Sequence, residues 1–231
     1  AGEFRESDLK SYIFEGEFLR YIGPNLTAQY VPRNQLKILI SLDPAFSKRS
    51  DAARTAIPVT GLYGEDVFLL EDFAERGLSV PDMINKVLDF ATRYGHPSKV
   101  FVETITAQKA IEEPLREAFR RAGLPYVMIE PISSHSGVAK GARIRSMDNV
   151  FRSGHFYCRA DHTKFKSEFL SFPQGGLVDI LDALSFQSGE WIRNAKMNAP
   201  NQNQWNAQGY QSTVQADIAR IKAHVGKHGG Y

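Results

Sequence analysis

The chain has 231 residues, 42% hydrophobic and 23% charged, which suits one α/β domain with a real core, or one domain plus a tail. A formal net charge of only +2 does not mark a nucleic-acid binder, so any such case must rest on local clustering. The one cysteine, Cys158, excludes a disulfide framework and a cysteine-rich zinc site; with no secretory signal, it points to a reducing, intracellular setting.

Residues 1–34 read as a lead-in or linker segment that ends in a Pro32-Arg33-Asn34 turn signal. The apolar run 36–42 (LKILISL) stops at Asp43-Pro44 and predicts a buried strand ending in a carboxylate. Runs 55–62 and 66–73 predict two more strands around a tight turn at Tyr63-Gly64-Glu65, so the first three strands form an antiparallel meander. Residues 81–94 carry Met83, Ile84, Val87, Leu88 and Ala91 at helical spacing, and Gly95 ends that helix.

Run 99–103 (KVFVE) predicts a second buried strand ending in a carboxylate. An amphipathic helix over 107–122, kinked or restarted at Pro114, leads to a strand over 126–132. A helix over 141–152, a short strand over 155–158, a helix over 163–172 and a final helix over 177–194 follow. After Lys196 the composition turns to Asn and Gln, a polar tail over 196–231 with one short helix within it. The globular domain is thus expected over 35–195, as a mixed central sheet flanked by helices, with strands one to three antiparallel and four and five parallel.

No HExxH, P-loop or GxGxxG motif occurs, and no apolar run nears the ~20 residues of a membrane helix. His224 and His228 have HxxxH spacing but no acid beside them, and read as a tail feature.

The placement of acids is more informative. Asp43 and Glu103 end two strands, and Asp179 and Asp182 open the last helix. Side chains at strand ends leave the packed interior and can meet. Converging carboxylates share a proton or hold a cation, and an all-oxygen donor set suits Mg2+ or Mn2+. Two such ions about 4 Å apart can cleave a phosphodiester. Each acid alone also has a plain reading: Asp43-Pro44 as a turn, Glu103 as a helix cap, Asp179 as a partner of the helix dipole.

Four blocks, in order and spanning 36–188, carry a resemblance. They are ISLDPAFSKRSDAARTAIPVTGLYGEDVFLLEDF, VFVETITAQKAI, KGARIRSMDNVFRSGHFYC and EFLSFPQGGLVDILDALSF. Together they resemble the nuclease domain of viral terminase large subunits, the DNA-packaging motor proteins of tailed phages. The resemblance implies a ribonuclease H-like α/β fold and a metal-dependent endonuclease that cuts concatemeric double-stranded DNA during packaging. It implies Asp43, Glu103 and Asp179 as catalytic metal ligands, Asp51 and Asp182 as auxiliary acids, and a two-metal Mg2+ or Mn2+ site. Many relatives have two adjacent acids where this chain has Val178-Asp179, so one carboxylate fewer is offered there.

Full-length relatives also carry an N-terminal ATPase, so the implied partners are that domain in the parent chain, DNA, the portal and the small terminase subunit, with no membrane. The implied place is the cytoplasm of an infected bacterium, transiently at the procapsid. Between Ser133 and Lys166 lie seven Lys or Arg and two acids. From this stretch Lys140, Arg143, Arg145 and His135 are expected at DNA phosphates. The competing readings are a non-catalytic DNA-binding or motor-assembly module and an actin-like phosphotransferase. The latter needs a glycine-rich phosphate turn that Asp43-Pro44-Ala45 lacks.

Overall fold

In the computed structural model, residues 2–23, 25–46, 53–103, 109–133 and 139–198 are described, and with them the compact unit that ends at Asn198. The strands are β1 (Lys10–Glu15), β2 (Phe18–Ile22), β3 (Ala28–Pro32), β4 (Lys37–Leu42), β5 (Thr55–Tyr63), β6 (Asp66–Glu75), β7 (Lys99–Glu103), β8 (Met128–Ile132) and β9 (Phe156–Cys158). The helices are α1 (Val80–Tyr94), α2 (Lys109–Arg121), α3 (Lys140–Arg145), α4 (Asp148–Arg152), α5 (Thr163–Ser171), α6 (Asp179–Ser185) and α7 (Ser188–Asn198).

The strands form one mixed sheet in the order β3-β2-β1-β9-β6-β5-β4-β7-β8. As expected, β4, β5 and β6 are antiparallel neighbours, and β7 and β8 run parallel to β4. Helix α1 starts at a reciprocal cap, in which Ser79 Oγ accepts the Asp82 N–H and the Asp82 carboxylate accepts the Ser79 N–H. It ends at Gly95, whose φ of 101° is open to glycine and costly for other residues.

Alternation along the strands divides the core in two. Ile38, Ile40, Leu42, Val100 and Val102 face α1 and α2, where they pack on Val87, Phe90, Leu115 and Phe119. Leu39 and Phe101 face the other way, onto Phe151, Phe169, Ile180 and Leu184 of α4, α5 and α6. Odd-numbered positions of β4 and β7 therefore point at the α6 side, and Asp43 and Glu103 continue those rows.

Two helices expected as single pieces are broken. The 141–152 segment divides into α3 and α4, and the 177–194 segment into α6 and α7. At the second break Gln187 is fully buried, and its amide bridges α6 to the sheet: Thr60 Oγ1 donates to Oε1 at 2.5 Å, and Nε2 donates to Ser41 Oγ at 2.9 Å.

The stretch 1–34, expected as a lead-in, supplies three strands of the sheet instead. Its alternating Tyr12, Leu19, Tyr21 and Val31 are buried, the two-residue turn Gly16-Glu17 joins β1 to β2, and Tyr12 Oη donates to Leu69 O at 2.6 Å. β9 links this meander to β6 by parallel pairing on both sides. The polar tail over 199–231 lies outside the described residues, and α7 occupies 188–198.

Candidate active site

Parallel register brings the first two acids together. Leu42 pairs with Val102, so one step further sets Asp43 beside Glu103. The Asp43 backbone is held by a two-hydrogen-bond bridge to Ala56, at 3.0 Å each way. Asp43 is half-buried and Glu103 is buried, and their carboxyls hydrogen-bond each other. That bond needs a proton. Burial, then the bond to Glu103 and its charge, raise the Asp43 pKa well above the usual carboxylate range, against the pull of Lys140.

The second pair stands one turn apart on α6. Asp179 is its first residue, Asp182 follows at i+3, and both are buried. The preceding Val178 gives no side-chain cap. Glu168 of α5 supplies it, its Oε2 accepting the N–H of Ile180 at 2.9 Å and of Leu181 at 3.1 Å. The other Glu168 oxygen binds the Arg54 guanidinium, and Arg54 also donates its backbone N–H (3.2 Å) and Nε (3.1 Å) to Asp179 Oδ2. Burial lifts the Glu168 pKa to about 7, opposed by those N–H groups and Arg54.

Lys140 faces both pairs. Its Nζ is 3.2 Å from Asp182 Oδ2 and 3.8 Å from Asp179 Oδ1. Burial lowers its pKa, but the charges of Asp182, Asp43 and Asp179 outweigh that, and the net shift is upward. Arg143 grips Asp182 with both arms of its fork, Nε to Oδ1 at 3.1 Å and Nη2 to Oδ1 and Oδ2 at 2.7 and 2.9 Å.

The acids thus stand as two neighbouring pairs, Asp43–Glu103 and Asp179–Asp182. Among the described residues no three His, Cys, Asp or Glu side chains are gathered closely enough to hold one ion. The reason is local: Arg54, Lys140 and Arg143 satisfy the α6 acids from within the chain. The donor set still fits a hard divalent cation, because every donor is a carboxylate oxygen and Asp43 keeps a proton that a cation would displace.

Of the other sequence candidates, Asp51 and His135 lie outside the described residues. Arg145 is engaged with Glu3, its Nε 2.9 Å from Oε1, rather than with the acids. Sequence reading missed Arg54 and Glu168. A sign of Glu168 was present: Phe165, Glu168 and Phe169 share the buried face of α5, and an acid on an apolar face needs a partner.

No family model matches the chain, and no curated protein matches it in sequence. Solved structures do match in three dimensions. The large terminase nuclease of the thermophilic phage G20c with bound magnesium superposes with a TM-score of 0.52 at 16% identity, covering 79% of this chain and 92% of that one. The phage P22 large terminase nuclease domain gives 0.52 at 12% identity, over 85% and 95%. The G20c nuclease with bound cobalt gives 0.52 at 17% identity, over 79% and 92%. The chain has the fold of the large-terminase nuclease domains, a ribonuclease H-like mixed sheet covered by helices on both faces.

Proposed function

We propose that the chain is the nuclease domain of a viral terminase large subunit, a Mg2+- or Mn2+-dependent endonuclease that cuts concatemeric double-stranded DNA. The observation that carries this reading is the proton-sharing pair of Asp43 and Glu103 at adjacent parallel strand ends, facing Asp179 and Asp182 across Lys140. Buried like charges at such closeness are costly unless a proton or a cation lies between them.

In this reading Asp43 and Glu103 hold one divalent ion, and Asp179, with Asp182 and Asp51 as auxiliaries, serves the second position. A metal pair bound there supplies an activated water and charge compensation at the leaving oxygen. The chain does the rest. Asp43 gives up its proton as the cation enters, and the capped α6 keeps Asp179 rigid. Lys140, beside the acids and partly exposed, meets a DNA phosphate when it leaves them. Arg143, Arg145 and His135 complete the expected DNA set, though the contacts of Arg143 with Asp182 and of Arg145 with Glu3 favour Lys140 as the first phosphate partner. The parent chain would add the ATPase, with the portal and small subunit as partners at the procapsid in an infected bacterium.

A second reading is a non-catalytic DNA-binding module of the same fold. The observation in its favour is that Arg54, Lys140 and Arg143 already neutralise the α6 acids. Plasmid relaxation separates the two. The nuclease reading expects nicking and linearisation on adding Mn2+ or Mg2+, arrest by EDTA, and loss of cutting in folded Asp43→Asn and Asp179→Asn. That loss should exceed the roughly 10–100-fold that follows removal of an outer partner of a metal ligand. DNA binding without any cutting under every metal tried selects the second reading.

A further inference from the structure

We propose that Arg54 and Glu168 are positioning residues for Asp179, which turn its Oδ1 toward the acid pocket and keep its Oδ2 out of it. This rests on the metal-site reading above. The argument starts from the two oxygens of one carboxylate. Oδ2 takes two donors from Arg54, the backbone N–H at 3.2 Å and Nε at 3.1 Å. Oδ1 faces Lys140 Nζ at 3.8 Å, on the side shared with Asp182 and Asp43. Asp179 is therefore set to offer one oxygen to a cation, with its rotation blocked from behind.

Arg54 is fixed in turn. It directly precedes β5, its side chain is 12% exposed, and its far arm binds Glu168. Glu168 is 3% exposed and also caps the first turn of α6 through the N–H groups of Ile180 and Leu181. One buried acid thus ties the start of β5, helix α5 and the N-terminus of α6 around a single carboxylate. Outer partners of this kind orient a metal ligand without touching the metal.

Charge and position make opposite forecasts, which renders the idea testable. Arg54 puts a positive charge beside a cation site, so on charge alone its removal strengthens metal binding. If it positions Asp179, removal weakens binding despite the lost repulsion. The test is calorimetric titration of Mn2+ into the purified chain without DNA, together with thermal melts and steady-state cutting.

Arg54→Gln is expected to weaken Mn2+ binding about tenfold or more, and to lower kcat with little change in KM for DNA. Glu168→Gln, which turns an amide N–H toward Arg54, is expected to weaken Mn2+ in the same direction. Arg54→Lys keeps the charge but not the fork, and is expected to stay weak. Mn2+ binding by Arg54→Gln as tight as, or tighter than, wild type overturns the proposal. If that variant fails to fold, wild-type affinity in Arg54→Lys overturns it equally. A wild-type chain that binds no Mn2+ overturns the metal-site reading itself, a separate outcome from the variants' behaviour.

Discussion

Glu190 of α7 and Lys99 at the start of β7 form a 2.7 Å ion pair at the end of the sheet opposite Asp43 and Glu103. Glu190 also takes Lys37, at the start of β4, at 3.0 Å, and Lys99 also reaches Glu130 at 2.7 Å. Burial pushes the Glu190 carboxyl up, but hydrogen bonds from Lys99 and Lys37 overcome that and hold it at about 2. The two strands that carry the candidate ligands at one end are thus clamped to α7 at the other.

Glu190→Gln leaves two lysines facing a neutral amide. Lys37 is partly solvated, so the expected loss is about 2 kcal/mol, below the roughly 3–5 kcal/mol of a fully buried pair. Urea unfolding should show it as a lower midpoint at unchanged slope. A loss under about 0.5 kcal/mol would mean that solvent already screens the cluster.

The strand-end acids were legible because they interrupt apolar runs, and the runs fix both the strand and its end. Register then does what sequence cannot state outright: it sets Asp43 beside Glu103. The N-terminal meander was missed although the chain uses the same turn pair twice. Gly64-Glu65 was read as a turn, and Gly16-Glu17 makes a turn with the same glycine φ of 58°. The first stands between runs whose apolar residues alternate with charges, a weak signal until β9 and β6 supply the face they pack on. Helix breaks at residues 146–147 and 186–187 were also hidden, since periodicity continues through both. What fixes the second is tertiary, the burial of Gln187 between Thr60 and Ser41. Arg54 and Glu168 gain a role only through partners far away in the chain.

His162 gives the fold an acid-sensitive point away from the carboxylates. It is 2% exposed, and its Nδ1 accepts the Arg159 N–H at 3.2 Å, which requires that nitrogen to carry no proton. Burial, then the charge of Arg159, lower its pKa from 6.5 to about 4, with Asp161 opposing. The folded pKa lies below the unfolded one, so the contribution is complete above pH 6.5 and is lost as pH falls toward 4. The full swing is about 3 kcal/mol. Glu168 acts in the opposite sense over part of this range, since its raised pKa favours the folded state on acidification. Comparing wild type with His162→Gln isolates the histidine: the variant should lose less stability between pH 6.5 and 4. Equal loss in both would assign the sensitivity elsewhere.

Arg143 distinguishes a residue that holds the site from one that holds DNA. Its fork is spent on Asp182, whose side chain is 3% exposed, while Lys140 is 40% exposed with a single cationic head. Removing a guanidinium from a buried carboxylate leaves that charge short of a partner, so Arg143→Gln should cost about 2–4 kcal/mol. Added Mn2+ should recover part of this, because a cation at Asp182 replaces what the arginine supplied. A residue on a phosphate behaves differently: its loss lowers the slope of log affinity against log salt by about one. Lys140→Gln should show that change in slope with little change in melting temperature, and Arg143→Gln the reverse. The measurement is DNA binding across a salt series in EDTA, beside thermal melts of both variants. A full unit of slope lost in Arg143→Gln, with the melt unaltered, would move Arg143 from the carboxylate to the DNA.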